Sequence, residues 1–207
     1  VPGPKYRTGK LKDPFLILGE KQKLILTSKD DVIGDKNIIS ILPSGIHNDV
    51  SSGSVILLND GLMELTVEKI VGLEVFCKIV VGGELTEKRG VATPGTSPSL
   101  PFPDQNALIA LKFASEFGAD FVALSTVTNA SHVLSAKKIL EKSSYPPMIV
   151  SKIERSEALD NFDDILLVSD AIMVARGDVG VGVKMSKLPT IQKELIFKIV
   201  NFLKRKH

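Results

Sequence analysis

The chain has 207 residues, 43% hydrophobic and 24% charged, with a formal net charge of +2. That length buries a real core as one large domain or two small ones, and the fractions are ordinary globular values. So small a charge supplies no field for nucleic acid, and no apolar run is long enough to span a membrane. A single cysteine, Cys77, excludes an internal disulfide and suits a reducing compartment. It lies within Val75-Phe-Cys-Lys-Ile-Val80, which reads as a buried, inert thiol.

Residues 1–9, Val1-Pro-Gly-Pro-Lys-Tyr-Arg-Thr-Gly9, are too rich in proline and glycine for a regular helix. Arg7 is the one basic group there with a plausible site role. From about residue 10 to 93 the chain reads as a small β domain. Phe15–Leu18, Leu24–Thr27, Ile38–Leu42, Ser54–Leu58, Met63–Val67 and Glu74–Val80 are strand-like, and several alternate apolar with polar residues. Asn59-Asp60-Gly61 predicts a tight hairpin turn, and Gly82-Gly83 another. A compact barrel or sandwich of six or more strands follows.

Residues 94–103 form a linker by composition, and the pattern then changes. Asp104 is placed to cap a helix with Ile109, Phe113 and Phe117 at i, i+4 and i+8, ended by Gly118. A strand over Phe121–Leu124 precedes a helix with Val133, Ala136 and Ile139-Leu140 inward. The strand Met148–Glu154 precedes a helix capped by Ser156, with Leu159, Phe162 and Ile165-Leu166 inward. The last strand, Ile172–Ala175, precedes a long helix using Ile191, Leu195, Ile199 and Phe202-Leu203. The βαβαβα order predicts a parallel sheet with right-handed crossovers.

Two strand ends carry the chemistry. Ala171 to Ala175 is an unbroken apolar run, read as a strand buried on both faces, and it stops at Arg176-Gly177-Asp178. Gly177 and Gly180 are expected to let the chain turn sharply and a ligand approach the backbone. The strand from Met148 ends in Lys152-Ile-Glu154, whose charged residues share one side because they are two apart. Ligands of parallel α/β folds bind outside the carboxyl ends of the strands. The blander reading of Lys152, Glu154 and Asp178 is that they form structural ion pairs. Arg176-Gly-Asp178 as an adhesion motif is discounted, because it ends a strand in a cysteine-poor chain. His47, His132 and His207 lack metal spacing and read as surface residues, and Gly180–Lys184 lacks the ending of a phosphate loop.

These residues resemble the pyruvate kinase family across essentially the whole chain. The motifs are Gly3-Pro-x-x-Arg7-Thr-Gly9, the Asp60-Gly-Leu62 turn, Lys88-x-Gly-Val-x-x-Pro-Gly95, Ser151-Lys-Ile-Glu154 and Ile172-Met-Val-Ala-Arg-Gly-Asp178-x-Gly180. The resemblance implies an α/β protein: part of a TIM (β/α)8 barrel carrying an inserted small all-β, barrel-like lid domain. Residues 1–9 would be the barrel segment entering the lid, 10–93 the lid, and 94–207 βα units of the barrel. It implies Mg²⁺-dependent phosphoryl transfer from phosphoenolpyruvate to ADP, giving pyruvate and ATP. Glu154 and Asp178 would hold Mg²⁺ (or Mn²⁺), with K⁺ at a site largely outside these residues. Lys152 would stabilise charge on the transferred phosphoryl and the enolate oxygen. Arg7 would contact the phosphoryl group, and the backbone around Ala175, Gly177 and Asp178 would hold the substrate carboxylate. Lid closure would exclude water. The full-length protein is expected to be a cytoplasmic homotetramer, or alternatively an organellar one. The 207 residues alone are expected to lack turnover, because over half of such a barrel lies outside them. Val1-Pro2, Thr126, Thr128 and Gly182 depart from the family pattern. Two other readings therefore stand beside the kinase: a catalytically silent paralogue that binds phosphoenolpyruvate, and a related Mg²⁺-dependent lyase of pyruvate-enolate chemistry.

Overall fold

The computed structural model describes residues 1–96, 98–183 and 185–206. Two compact units are present: Lys5–Leu100, and Val1–Pro4 together with the chain from Pro101 onward.

The first unit contains β1 (Tyr6–Thr8), β2 (Leu16–Leu18), β3 (Lys23–Thr27), β4 (Ile38–Leu42), a short α1 (Ile46–Asp49), β5 (Val55–Leu58), β6 (Met63–Val71), β7 (Glu74–Val81), β8 (Gly83–Leu85) and β9 (Gly90–Ala92). Seven strands close into a barrel in the order β1-β4-β3-β7-β6-β5-β9, and β2 pairs with β8 separately. Alternation drives the closure. Met63, Leu65 and Val67 of β6 and Val75, Cys77 and Ile79 of β7 all point into one core, with Leu65 opposite Ile79 and Val67 opposite Cys77. Closure pairs every strand of the ring on both sides and so leaves none of them a bare edge. The short β1 completes the ring, with Arg7 opposite Leu42 on one side and Gly90 on the other.

Two expected turns take other forms. Leu58 pairs with Met63, so four residues connect β5 to β6, with left-handed backbone at Asn59, Asp60 and Gly61. Gly83 does not turn the chain but opens β8, paired with Leu18.

The second unit contains α2 (Gln105–Glu116), β10 (Phe121–Leu124), α3 (Ala130–Leu140), β11 (Met148–Ile153), α4 (Ser156–Asp160), α5 (Phe162–Val168), β12 (Ala171–Val174), α6 (Arg176–Gly182) and α7 (Leu188–Lys206). The sheet order is β10-β11-β12 and both pairings are parallel. Asp104 caps α2 through an Oδ1 bond from the Ala107 N–H at 2.7 Å. Gly118 ends it in a left-handed conformation, φ +65, and the Ala119 N–H reaches back to Ala114 O at 3.1 Å. Ser156 does not cap this helix: Arg155 stands at the N-cap position without a side-chain capping bond, Ser156 Oγ bonds Glu157, and Asn161 divides the helix into α4 and α5.

One face of this sheet is covered and the other is not. Val122, Leu124, Ile149 and Ile153 lie buried beneath Leu111, Val133, Ala136, Leu140, Phe162 and Ile165. Phe121, Met148 and Met173 stand exposed on the opposite face. The apolar run of β12 is therefore half-open rather than buried on both faces, because β12 is an edge strand here. The helix α2 corrects a second expectation. Ala107 and Leu111 face the core, whereas Ile109, Phe113 and Phe117 are exposed and the two phenylalanine rings stack at 4.3 Å. Both sets satisfy helical spacing, so periodicity alone does not choose between them. In α7, Leu195 is buried and Ile191, Ile199 and Phe202 are partly so, but Leu203 is exposed. No helix among the described residues is long and apolar enough to cross a membrane.

Candidate active site

The central strand β11 delivers the site. Lys152 and Glu154 follow the period-2 rule and form an ion pair between Lys152 Nζ and Glu154 Oε1. The Glu154 side chain is 5% exposed and that of Lys152 22%.

Neighbouring strands supply the rest. Leu124 of β10 is in register with Ser151 of β11, which sets the next residue, Ser125, opposite Lys152. Lys152 Nζ donates to Ser125 Oγ at 3.1 Å. The Thr126 backbone N–H then donates to Glu154 Oε2 at 3.0 Å in a buried bond. Thr126 holds φ +50, a conformation that crowds a β-branched side chain. On the other side, Ile153 is in register with Val174, so Glu154 and Ala175 occupy matching positions past the strand ends. The Ala175 N–H donates to Ile153 O at 3.0 Å. Asp178 follows on the first turn of α6, where a carboxylate complements the helix dipole, and it is exposed.

Several sequence readings change here. Gly177 lies inside α6 and makes no sharp turn; a Cβ there would meet open space. Gly180 also falls within α6. The N–H groups of Asp178 and Val179 both donate to Ala175 O, at 3.1 and 3.0 Å. Asp170 works at the opposite end of the sheet, where Oδ2 accepts the Ile149 N–H at 2.8 Å and Oδ1 pairs with Lys137. Arg7 belongs to the seven-stranded unit, exposed on β1, and its Nη1 donates to Lys88 O at 3.0 Å.

The histidines are not simply surface residues. His47 is half-buried, and its Nδ1 shares a 2.7 Å hydrogen bond with Ser28 Oγ. His132 packs on Phe102 with ring centroids 4.8 Å apart, and burial pushes its pKa below the usual imidazole value. His207 lies outside the described residues. Cys77 is buried, and desolvation pushes its thiol up to about 12.

The donor set suits a hard divalent cation. Mg²⁺ takes oxygen ligands, often only one or two carboxylates, and keeps open positions for substrate and water. Glu154 offers a buried carboxylate, its Oε1 paired with the Lys152 ammonium, and Asp178 adds a second carboxylate past the adjacent strand end. Among the described residues no group of three or more His, Cys, Asp or Glu gathers to hold a metal.

Comparison with known proteins decides the family. The pyruvate kinase barrel-domain model matches residues 1–206. The chain belongs to the pyruvate kinase family. It is 41% identical over 199 residues to a pyruvate kinase of Staphylococcus epidermidis, covering 95% of this chain and 34% of that one. A Thermococcus litoralis pyruvate kinase is 38% identical over 198 residues, covering 96% and 42%. A crystal structure of a pyruvate kinase from Cryptosporidium parvum matches with a TM-score of 0.87 at 33% identity, covering 95% of this chain and 41% of that one. The chain thus spans well under half the length of these pyruvate kinases. The barrel-domain match takes in both the closed β unit and the three βα units.

The sequence missed one element of the site. The Thr126 N–H serves Glu154 through the backbone, and no side-chain pattern signals a left-handed turn at a threonine. The only sequence hint was Gly3: a Cβ at that position would run into Thr126 Oγ1 and Ser125 O.

Proposed function

We propose that the protein carrying this chain transfers the phosphoryl group of phosphoenolpyruvate to ADP, giving pyruvate and ATP. The observation that supports this most is the buried Lys152–Glu154 pair at the carboxyl end of the central parallel strand, with Asp178 past the next. A bound Mg²⁺ would supply positive charge to the phosphoryl and carboxylate oxygens of the substrate. Glu154 and Asp178 are the residues proposed to hold it.

Lys152 does the electrostatic work in this reading. Its ammonium is held from two sides, by Glu154 and by Ser125, so it needs no reorganisation when negative charge builds on the transferred group and the enolate oxygen. The partial burial of the pair strengthens that interaction relative to water. Gly177 stands where a helix N–H lacks an intrahelical acceptor and where no side chain of this unit crowds the backbone, which suits a substrate carboxylate. Ala175 and Asp178 spend their N–H groups on Ile153 O and Ala175 O, so their part is to frame that position. Arg7 remains assigned to the phosphoryl group by family likeness.

The test is pyruvate formation from phosphoenolpyruvate and ADP by the full-length protein, with and without Mg²⁺, beside the purified 207-residue chain. Mg²⁺-dependent pyruvate formation by the full-length protein, absent from the 207 residues alone, is the expected result. A folded full-length protein with Mg²⁺-dependent phosphoenolpyruvate binding and no turnover would instead indicate a silent paralogue.

A further inference from the structure

We propose that Thr126 is a positioning residue for Glu154, and that Gly3 holds it in place. The inference rests on the phosphoryl-transfer reading of the site and adds a part to it. Glu154 has two carboxylate oxygens with different surroundings. Oε2 accepts the Thr126 N–H at 3.0 Å, and Oε1 is paired with the Lys152 ammonium. The Thr126 bond therefore fixes the rotation of the carboxylate and decides that Oε1 is the oxygen presented to a cation.

The geometry of that donor is unusual. Residue 126 follows Ser125, whose register partner is Lys152, so a regular strand would continue alongside Ile153. The Thr126 N–H, in the peptide plane shared with Ser125, points at Glu154, and the positive φ of Thr126 then turns the chain out of the strand. Threonine resists this conformation, so its neighbours must enforce it. Gly3 closes over the turn so tightly that any side chain at that position would collide with Thr126 Oγ1 and the Ser125 carbonyl. Thr126 is itself buried, and its Oγ1 has no hydrogen-bond partner. The hydroxyl therefore holds nothing at this turn, and the one bond Thr126 gives to Glu154 is from its backbone N–H.

The experiment measures Mn²⁺ affinity of the full-length protein from the free-Mn²⁺ electron paramagnetic resonance signal, without substrate. Thr126→Gly keeps the N–H and tolerates positive φ, and should bind within about twofold of the unsubstituted protein. Gly3→Ala and Thr126→Pro should weaken Mn²⁺ at least tenfold, the second because proline has no N–H and fixes φ negative. A structural readout accompanies these. The Thr126 amide proton should resonate downfield and resist exchange, and both signatures should vanish in Glu154→Ala, which has no side-chain acceptor. Should Thr126→Pro not fold, Gly3→Ala and the amide signature carry the test. Unchanged Mn²⁺ affinity in folded Gly3→Ala, or an amide proton indifferent to Glu154→Ala, would overturn the positioning role and leave the kinase reading intact. Absence of Mn²⁺ binding by the unsubstituted protein would overturn both.

Discussion

Lys152 and Ser125 face each other across a parallel β pairing, joined by a 3.1 Å hydrogen bond from the ammonium to the hydroxyl. The pairing follows from register alone: Leu124 lies opposite Ser151, so Ser125 comes opposite Lys152. Because Glu154 also holds the ammonium, Ser125 is a second support rather than the sole one. Ser125→Ala in the full-length protein should lower kcat by less than about tenfold, since general positioning survives on Glu154. Steady-state kinetics with saturating ADP would check this. A loss as large as that of removing Lys152 itself would show that the serine does more than orient.

His132 makes stability depend on pH with a definite sign. Burial lowers its folded-state pKa below the unfolded value of about 6.5, so the unfolded chain binds more protons between the two values. Its contribution is complete above about pH 6.5 and is lost as pH falls toward the folded pKa. Urea unfolding followed through the helical unit between about pH 7.5 and 5 should show a falling midpoint, and His132→Gln should flatten that part of the profile. An unchanged slope in His132→Gln would assign the pH dependence to other groups.

The two apolar stripes of α2 and its neighbours predict contrasting substitutions. Phe162 is fully buried, and Phe162→Ala should cost about 3–5 kcal/mol. Phe113 is 59% exposed, and Phe113→Ala in the isolated 207-residue chain should cost under about 1 kcal/mol. Denaturant melts of both variants decide it. Equal losses would mean that the Phe113 face is covered in solution.

Cys77 should be silent toward thiol reagents. Its pKa of about 12 keeps it protonated at neutral pH, and it is buried in the closed barrel. Labelling by a disulfide-exchange reagent at pH 8 should occur only after denaturant is added. Fast labelling of the native protein would show that the barrel opens.

Much of this arrangement was legible in the chain, for physical reasons. Apolar runs closed by Lys152-Ile-Glu154 and by Arg176-Gly-Asp178 marked strands and their carboxyl ends, and Asp104 with Gly118 marked α2 at both ends. Pattern failed where two answers share one period. Ala107-Leu111 and Ile109-Phe113-Phe117 both repeat at helical spacing, and only the tertiary fold says which meets the core. It also failed where a strand is too short to alternate: Tyr6–Thr8, Gly83–Leu85 and Gly90–Ala92 are held by ladder pairing to neighbours rather than by their own pattern. The support of Glu154 by the Thr126 backbone was illegible because it depends on a dihedral angle that the residue type disfavours.

The central claim is that the Lys152 ammonium stabilises charge developing on the transferred group. Lys152→Met in the full-length protein tests it most directly, through kcat, phosphoenolpyruvate KM and Mn²⁺ affinity measured together. Removing one partner of a partly buried pair destabilises by as much as about 3–5 kcal/mol, so folding is confirmed first by a denaturant melt. The account predicts a fall in kcat of about 10²–10³ with KM and Mn²⁺ affinity changed only a few fold, the signature of a contact made in the transition state. A folded Lys152→Met protein with near-normal kcat would contradict it.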